Sequence, residues 1–368
     1  MKGIEMKHIV TLIPGDGIGP EICQAMCRVV EATGVDIEWE TAPAGAHLMD
    51  EYGTPLPQST IEAVAKNGVA IKGPVTTPVG TGFRSVNVAL RKALDLYVNL
   101  RPAFSLPGTG ARYSDVDLVI VRENTEDLYA GIEFEQGSEQ AARLIDFVGA
   151  SGAGVIKPDS GISIKPISIS GSERIVRYAF DYAVKQGRSK VTAVHKANIM
   201  KHSDGLFLRV ARDVAAQYEG RVAFEDRIVD ACCMGLVQNP GNFDVLVLPN
   251  LYGDIVSDLC AGLVGGLGIA PGANIGGGCA VFEAVHGSAP LHAGKDDANP
   301  TAIILSACMM LQHLGEMDAA ARILAAVHDV LGRGEQVTYD IRRIQTGSVE
   351  GAVGTQAYAD ALIRSMEG

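Results

Sequence analysis

Short apolar runs that alternate with helical patterns constrain the fold of this chain more than any other feature. The runs are rich in β-branched residues, as expected of strands buried in a sheet, and lie at 8–13, 116–123, 190–198 and 243–250. The helical patterns between and after them lie at 172–186, 204–217 and 300–314. This alternation predicts an α/β fold in which helices cover a largely parallel sheet.

The size and charge of the chain limit its domain number and its partners. Its 368 residues fit about two domains, or one large α/β unit with an insertion. A net charge of −12 argues against nucleic acid or a membrane as the partner, so an anionic substrate needs a locally basic pocket. The uncharged stretch 259–282 is long enough to span a membrane, but Pro271 and repeated glycines favour buried core instead.

The cysteines indicate a reducing compartment. The chain has seven of them, an odd number, and no C-x-x-C pair. That pattern is typical of free thiols rather than of a disulfide framework or a zinc site. The first residues show no apolar segment followed by a cleavage site. We therefore expect a cytoplasmic protein.

The turn GDGIGPE, which begins at Gly15, follows the first strand. It has the pattern G-x-G-x-G instead of G-x-G-x-x-G, and isolated glycine patterns are weak evidence for a dinucleotide site. Pro20 suits the first turn of a helix. The sequence therefore favours a tight strand-to-helix turn over a Rossmann phosphate site.

Residues 131–170 differ in composition from the rest of the chain. They are rich in Gly, Ser and β-branched residues with short alternations such as GISIKPISIS. The pattern predicts a hairpin arm rather than a strand–helix–strand unit. Because an arm lacks a core of its own, we expect it to pack against a second copy of the chain.

Arginines are concentrated around a flexible loop and the helix that follows it near Ser85. Arg84, Arg91 and Arg101 lie close together in the sequence, and Arg122 follows at the end of a strand. Converging guanidinium groups suit a substrate with two or three carboxylates, because each can form a two-pronged contact. Solvated surface charges, each paired with a nearby acid, are an equally good interpretation of composition alone.

Polar residues at strand ends are candidates for catalysis and metal binding. Lys196 ends an apolar strand, where it could act as a base in the ligand crevice, although a surface lysine is the simpler interpretation. Asp254 and Asp258 stand four residues apart and Asp230 follows another strand. Carboxylates favour Mg²⁺ or Mn²⁺ over zinc. Helix capping by Asp254 is the alternative, but a cap needs only one acid.

Three motifs together resemble one protein family: IPGDGIGPE, NLYGDIVSDLCAGLVGGLGIAPGANIG and HGSAP. The chain is similar over nearly its whole length to the β-decarboxylating dehydrogenases, which act on isocitrate, isopropylmalate or homoisocitrate. The resemblance implies a doubly wound α/β fold, distinct from a standard Rossmann domain, with an active site shared by two subunits of a homodimer. The implied divisions are a large domain at 1–96 and 265–368, a small domain at 97–130 and 171–264, and a dimer clasp at 131–170.

The resemblance also implies roles for the candidate residues. Asp254 and Asp258 of one subunit, with Asp230 of the other, would hold Mg²⁺ or Mn²⁺. Lys196 would help to remove the substrate hydroxyl proton, and Tyr129 would protonate the enolate formed after loss of CO₂. The substrate carboxylates would be held by Ser85, Asn87, Arg91, Arg101 and Arg122.

Ser85 and Asn87 indicate which family substrate is bound. A hydroxyl and an amide suit the γ-carboxylate of isocitrate and would be left unpaired by an isopropyl group. We therefore expect oxidative decarboxylation of isocitrate to 2-oxoglutarate, as in the tricarboxylic acid cycle. Homoisocitrate or isopropylmalate as substrate, or a non-catalytic regulatory role in a hetero-oligomer, are the alternatives.

The coenzyme signals of the resemblance conflict. Leu291 and His292 match neither the acidic residue of NAD-using relatives nor the Lys-Tyr pair of NADP-using ones, whereas Tyr339 and Arg343 match the latter. The missing lysine favours NAD, with NADP as the alternative. The residues implied in coenzyme binding are Thr77, Asn198, His286, Gly287, Leu291, His292, Asn299, Tyr339 and Arg343.

Overall fold

The computed structural model describes residues 7–76 and 85–368. The strands within these ranges are β1 His8–Ile13, β2 Ile37–Thr41, β3 Val69–Lys72, β4 Val98–Phe104, β5 Asp117–Glu123, β6 Glu133–Phe134, β7 Ile162–Ser163, β8 Lys190–His195, β9 Ala223–Ile228, β10 Val245–Leu248, β11 Pro271–Ile275 and β12 Ala280–Ala284. The α-helices are α1 Gly19–Glu31, α2 Met49–Tyr52, α3 Gln58–Asn67, α4 Val86–Ala93, α5 Glu139–Ala150, α6 Ile169–Lys185, α7 Ser203–Ala215, α8 Val229–Gln238, α9 Asn250–Val264, α10 Thr301–Leu314, α11 Met317–Arg333, α12 Tyr339–Thr346 and α13 Thr355–Glu367.

Ten of the described strands form one mixed sheet, in the order β2-β1-β3-β12-β11-β4-β5-β10-β8-β9. The first four strands in that order pair in parallel, as do the last four. Strands β11 and β4 join the two parallel blocks through antiparallel pairings. The predicted α/β class is confirmed, and the antiparallel centre is an addition that the sequence did not indicate.

The two parallel blocks come from different parts of the chain. Strands β1, β2, β3, β11 and β12 lie within 7–76 and 265–368, whereas β4, β5, β8, β9 and β10 lie within 97–264. The border between them therefore runs along the pairing of β11 with β4. Asn274 faces Asn99 across this border, and each is almost fully buried.

Helix α10 forms much of the core on one face of the sheet. Its residues Ile303, Ile304 and Leu311 are fully or almost fully buried, and it packs against α1, α11, β11 and β12. None of the helices in 7–76 and 85–368 combines the length and the hydropathy needed to cross a membrane.

The turn between β1 and α1 is tight, as the sequence predicts. Gly15 and Gly17 have φ values of +77° and +61°, a region that favours glycine. The backbone N–H of Ile18 donates to the carbonyl oxygen of Ser288 at 2.9 Å. A Cβ atom on Gly17 would lie 2.0 Å from that oxygen. The glycine therefore allows the turn to touch the loop that follows β12.

Two short strands pair in the segment 131–170, but a helix lies between them, so the segment is not the simple hairpin that its sequence pattern predicts. Strand β6 pairs antiparallel with β7, and α5 lies between them. The side chain of Ser138 caps α5 by accepting from the backbone N–H of Ala141 at 3.1 Å. Phe147 and Val155 remain exposed on this arm, so its apolar side chains lack a cover within one chain.

We predict that Gly17→Ala destabilises the fold more than Gly53→Ala does. Both glycines have positive φ, at +61° and +66°, so alanine should cost about 1–2 kcal/mol of backbone strain at either position. Nothing lies within 4 Å of a Cβ at Gly53, whereas Gly17 faces the Ser288 carbonyl. The clash should add about 1–3 kcal/mol at Gly17. Thermal unfolding of both variants measures the difference in stability. Equal losses of stability in the two variants would contradict the close contact between Gly17 and the Ser288 carbonyl.

Candidate active site

Arg122 is placed by the pairing of two parallel strands. It lies opposite Leu248 in the register of β5 with β10, and α9 begins two residues after Leu248. The Arg122 guanidinium donates to the side-chain oxygen of Asn250 at 2.9 and 2.7 Å and forms an ion pair with Asp254. A Cβ atom on Gly253 would lie 2.4 Å from Cγ of Arg122. The glycine therefore makes room for the arginine against the helix.

Asp254 and Asp258 lie one turn apart on α9, and arginines compensate their mutual repulsion. Nη1 of Arg101 lies 3.8 Å from Oδ1 of Asp254 and 3.3 Å from Oδ1 of Asp258. It also donates to the Ser257 hydroxyl at 2.7 Å. Asp254 lies beyond the first turn of α9, so it does not cap the helix. The capping alternative is therefore excluded, and the carboxylates face a basic site.

Burial and charge together set the protonation states in this group. Burial would raise the pKa of Asp254, but Arg122, the hydrogen bond from Tyr129 and Arg101 together lower it. The Tyr129 hydroxyl donates to Asp254, and the Arg122 guanidinium lies 4.8 Å from the centre of the Tyr129 ring. Burial, then the bond to Asp254, raises the pKa of Tyr129. The tyrosine therefore keeps its proton at neutral pH.

Lys196 and Asp230 form a separate ion pair. Lys196 directly follows β8, Asp230 lies in the first turn of α8, and Nζ of the lysine donates to Oδ1 of the carboxylate. This hydrogen bond lowers the pKa of Asp230. Within the described part of the chain no three acidic, His or Cys side chains come together as a metal site. One chain thus brings together Asp254 and Asp258 but does not add Asp230 to them.

The oxygen donors of Asp254 and Asp258 fit a hard divalent cation. Both are carboxylates on one helix face, the pair that Mg²⁺ or Mn²⁺ would take together with water and substrate oxygens. Asp258 is about half exposed, at 55% of its side-chain surface, so one of its faces is open to a ligand. Among the described residues, no further acidic, His or Cys side chain joins these two carboxylates as a metal cluster.

A buried ionic cluster lies next to this group. Glu283 of β12 accepts from Nζ of Lys72 at 2.7 Å and from Nη2 of Arg91 at 3.2 Å. Nδ2 of Asn274 donates to it at 2.7 Å. Burial would raise the pKa of Glu283, but Lys72 and Arg91 hold it far below its ordinary value. The carboxylate is therefore ionised and binds two cations.

A cavity of about 120 Å³ opens beside this cluster. It is lined in part by Asn87, Arg91, Arg101, Glu283 and His286. Three buried polar atoms among these residues have no hydrogen-bond partner within the described part of the chain: Oδ1 of Asn87, Nε of Arg91 and Nε2 of His286. Because unpaired buried polar atoms cost about 1–3 kcal/mol each, they indicate a place for a polar ligand. Ser85 directly precedes α4, the helix that carries Asn87 and Arg91.

A second cavity, of about 360 Å³, gathers most of the predicted coenzyme residues. It is lined in part by His286, Gly287, His292, Asn299 and Tyr339. The rings of His292 and Tyr339 stack at 5.4 Å with an interplanar angle of 7°. Both carboxylate oxygens of Asp297 lie 3.0 Å from Nδ1 of His292, and this contact orients the imidazole. The flat wall suits an aromatic base.

Other predicted coenzyme residues lie outside both cavity linings. The side chain of Leu291 is 81% exposed, and Asn198 and Arg343 are exposed as well. Thr77 lies outside the described residues.

Sequence reasoning missed several residues that shape these cavities. Lys72 and Glu283 are lone charges inside the apolar strands VAIK and AVFEA, and that signal could have identified them. Ile18 and Asp340 line the second cavity, and Nδ2 of Asn299 donates to Asp340 at 2.9 Å. No sequence signal singled out these two.

The chain matches known proteins over almost its full length. A family model described as isocitrate/isopropylmalate dehydrogenase matches residues 9–362. A mitochondrial protein of Dictyostelium discoideum, named as a regulatory subunit of NAD isocitrate dehydrogenase, is 47% identical over 360 residues, covering 97% of this chain and 91% of that protein. The chloroplastic 3-isopropylmalate dehydrogenase of Solanum tuberosum is 48% identical over 326 residues, covering 88% of this chain and 85% of that protein.

A solved structure shows the same fold. The crystal structure of isocitrate dehydrogenase from Methylococcus capsulatus has a TM-score of 0.88 and 50% sequence identity, and the match covers 98% of this chain and all of that one. Further similar proteins include isocitrate dehydrogenases named for NAD and one named for NADP. The relatives therefore agree on the family and differ in substrate and coenzyme.

We predict that Glu283→Gln destabilises the protein by about 3–5 kcal/mol at pH 7, because it leaves two buried cations without their anion. The folded-state pKa of Glu283 is depressed below 4.5, so its contribution is complete above that pH and declines as the pH falls toward the folded-state pKa. Urea unfolding of the wild type and the variant from pH 7 to pH 3 measures both effects.

Glu40→Gln is the matched control for this variant. Glu40 pairs with Lys66 at 3.0 Å on the protein surface, where solvent screens the interaction. The Glu40→Gln variant should therefore lose far less stability than the Glu283→Gln variant. Equal losses, or a Glu283→Gln deficit that does not shrink below pH 4.5, would contradict an ionised buried Glu283.

Proposed function

The chain belongs to the isocitrate/isopropylmalate dehydrogenase family, and we propose that it is a metal-dependent, NAD-using isocitrate dehydrogenase. The reaction is the oxidative decarboxylation of isocitrate to 2-oxoglutarate and CO₂. The observation that carries the proposal is the convergence of Arg101 and Arg122 on the carboxylates Asp254 and Asp258, beside a cavity that holds Arg91. This arrangement supplies three guanidinium groups for a tricarboxylate in a chain with a net charge of −12.

The arginines bind and orient the substrate. Arg91, Arg101 and Arg122 are each almost fully or largely buried, so their contacts with carboxylates are weakly screened by water. Burial, then the neighbouring arginines, lowers the pKa of Arg122 to about 10, which leaves it protonated at neutral pH. An anionic substrate relieves the repulsion among these cations. Asp254 and Asp258, with Asp230 of a second subunit, are the residues that would hold the metal.

Two residues handle protons in this proposal. Lys196 would accept the proton of the substrate hydroxyl, directly or through water. A bound nicotinamide would supply the acceptor for the hydride of the carbon that carries this hydroxyl. The β-keto acid then loses CO₂, and the electron pair of the broken bond forms an enolate. Tyr129, whose raised pKa keeps it protonated, donates a proton to the enolate carbon that carried the lost carboxylate. A bound divalent cation supplies Lewis-acid stabilisation of negative charge on the substrate oxygens.

Polar groups near α4 support isocitrate over isopropylmalate. Asn87 lines the first cavity, and Ser85 stands just ahead of α4. The amide nitrogen of Asn87 and the hydroxyl of Ser85 are donors from which the γ-carboxylate of isocitrate can accept, whereas an isopropyl group can accept no hydrogen bond. Homoisocitrate carries the same carboxylate on a longer chain and is the second candidate substrate.

The coenzyme assignment to NAD rests on the second cavity. Its stacked His292 and Tyr339 rings offer a flat wall for adenine, and Asp340 brings a carboxylate into the lining. A carboxylate binds ribose hydroxyls and repels a 2′-phosphate. Arg343 is the residue that favours NADP, and its side chain is exposed outside the lining.

Assembly as a homodimer would complete the site. Asp230 and Lys196 pair with each other and join no metal cluster with Asp254 among the described residues, which supports a site in which a second copy would supply the third metal ligand and the base. The arm at 131–170, with its exposed Phe147, supplies a surface that a second copy would cover. The large domain (1–96 and 265–368) and the small domain (97–130 and 171–264) would meet along the pairing of β11 with β4.

A non-catalytic regulatory role is the alternative from a different functional class. One similar protein is named as a regulatory subunit. A protein without turnover has no need for the proton-handling and metal-binding groups. This chain keeps Tyr129, Lys196, Asp230, Asp254 and Asp258, which favours catalysis.

We predict that the purified protein reduces NAD with isocitrate and Mn²⁺ and that EDTA abolishes this activity. The kcat/KM for isocitrate should exceed that for isopropylmalate by at least ~10²-fold, because a site built from polar groups rejects an analogue that leaves them unpaired. It should exceed that for homoisocitrate by about 10-fold or more, because one extra methylene changes the fit but keeps the carboxylate. NADP should give the lower kcat/KM. The increase in absorbance of the reduced nicotinamide measures the rate for each combination of substrate, coenzyme and metal.

Each outcome bears on a different part of the proposal. Turnover of isopropylmalate but not of isocitrate would overturn the substrate assignment. Activity that survives EDTA would overturn the metal assignment, and a higher kcat/KM with NADP would overturn the coenzyme assignment. Binding of isocitrate without reduction of either coenzyme would favour the regulatory role.

A further inference from the structure

A second groove lies behind the candidate active site. It has a volume of about 340 Å³ and runs between α6 and α10 over the strands β4, β11 and β12. Leu100, Ile275 and Phe282 contribute to its floor, and Tyr182 and Met309 to its walls. We call this space the back groove.

The back groove and the candidate active site occupy opposite faces of the same strands. Successive side chains along a strand point to opposite faces of a sheet. On β4, Arg101 lines the active-site cavity and Leu100 the back groove. On β12, Glu283 lines the former and Phe282 the latter. A ligand in the back groove is therefore separated from the active site by the sheet.

The walls of the back groove are aromatic and apolar. The rings of Tyr178 and Tyr182 on α6 stack at 6.4 Å with an interplanar angle of 23°. The ring of Phe282 lies 5.7 Å from that of His313 on α10. Pockets of about 300–1,000 Å³ with such walls and a few polar groups are typical of small-ligand sites. Flat aromatic molecules fit these surfaces best.

The charged groups at the rim favour an anion. Lys185, in the last turn of α6, is exposed and has no hydrogen bond or ion pair among the described residues. Burial lowers the pKa of His313, and the positive charge of Lys185 lowers it further. The two side chains therefore lie close together. The acid in the lining, Asp181, already accepts from the Tyr218 hydroxyl at 2.6 Å.

We propose that the back groove binds a small aromatic anion, with its ring against Tyr178, Tyr182 and Met309 and its acidic group at Lys185. This site is distinct from those for isocitrate, metal and coenzyme, and it does not depend on the proposed reaction.

Calorimetric titration of the full-length protein with indole-3-acetate tests the proposal, with indole-3-acetamide as the neutral probe of the same shape. The acid should bind saturably, once per chain, and more tightly than the amide. Lys185→Gln should weaken the acid at least ~5-fold and leave the amide unchanged, because only the acid uses the lysine charge. Lys157→Gln, which removes an exposed lysine from the arm, is the matched control and should change neither affinity.

Competition locates the bound probe. Saturating isocitrate with Mn²⁺, or saturating NAD, should leave the affinity of indole-3-acetate within ~2-fold, since the sites lie on opposite faces of the sheet. Displacement by either would overturn the proposal, because it would put the probe in the active site. Absence of saturable binding would overturn it as well. Equal affinities for the acid and the amide would also overturn it, because Lys185 would then only offset the dipole of α6.

Discussion

The buried carboxylate of Glu283 is the interaction on which the candidate site depends. It binds Lys72 of the neighbouring strand and Arg91 of α4, and all three are almost fully buried. A buried ion costs several kcal/mol unless it is paired, so these three charges are stable only together. Asn274 extends the network, because it donates to Glu283 and accepts from Asn99 at 2.9 Å across the border between the two parallel blocks. The cluster thus positions Arg91, whose Nε has no partner among the described residues, and also links the two halves of the sheet.

The rest of the site follows the same rule of compensated charge. Asp254 and Asp258 repel each other on one face of α9, and their ion pairs with Arg122 and Arg101 offset this repulsion. Those arginines in turn repel each other, and Asn250 and Ser257 accept hydrogen bonds from them. A tricarboxylate with a divalent cation fits this balance, since the anion pairs with the arginines while the cation pairs with the aspartates. The net charge of −12 for the whole chain therefore does not describe the electrostatic potential at the candidate active site.

Prediction from sequence succeeded where a local pattern decides the structure. Strands β5 and β10 are short runs rich in apolar, β-branched residues, and the burial of these residues follows from composition. Strands β11 and β12 were missed because glycines surround them and because their antiparallel pairing depends on β4, a distant segment. In the site, the spacing of Asp254 and Asp258 was informative, whereas the role of Glu283 emerges only when β3, β12 and α4 meet. Leu291 and Arg343, which the motifs single out, are exposed and lie outside both cavity linings.

In the proposed homodimer, two chains would build each active site. Co-expression of Lys196→Met and Asp254→Asn subunits with different tags yields mixed dimers that can be purified and assayed with isocitrate, NAD and Mn²⁺. Each mixed dimer would combine Asp254 of one chain with Lys196 of the other in one intact site, so we predict about half of the wild-type activity, although each variant alone is inactive. Mixed dimers that are no more active than the separate variants would contradict a shared site.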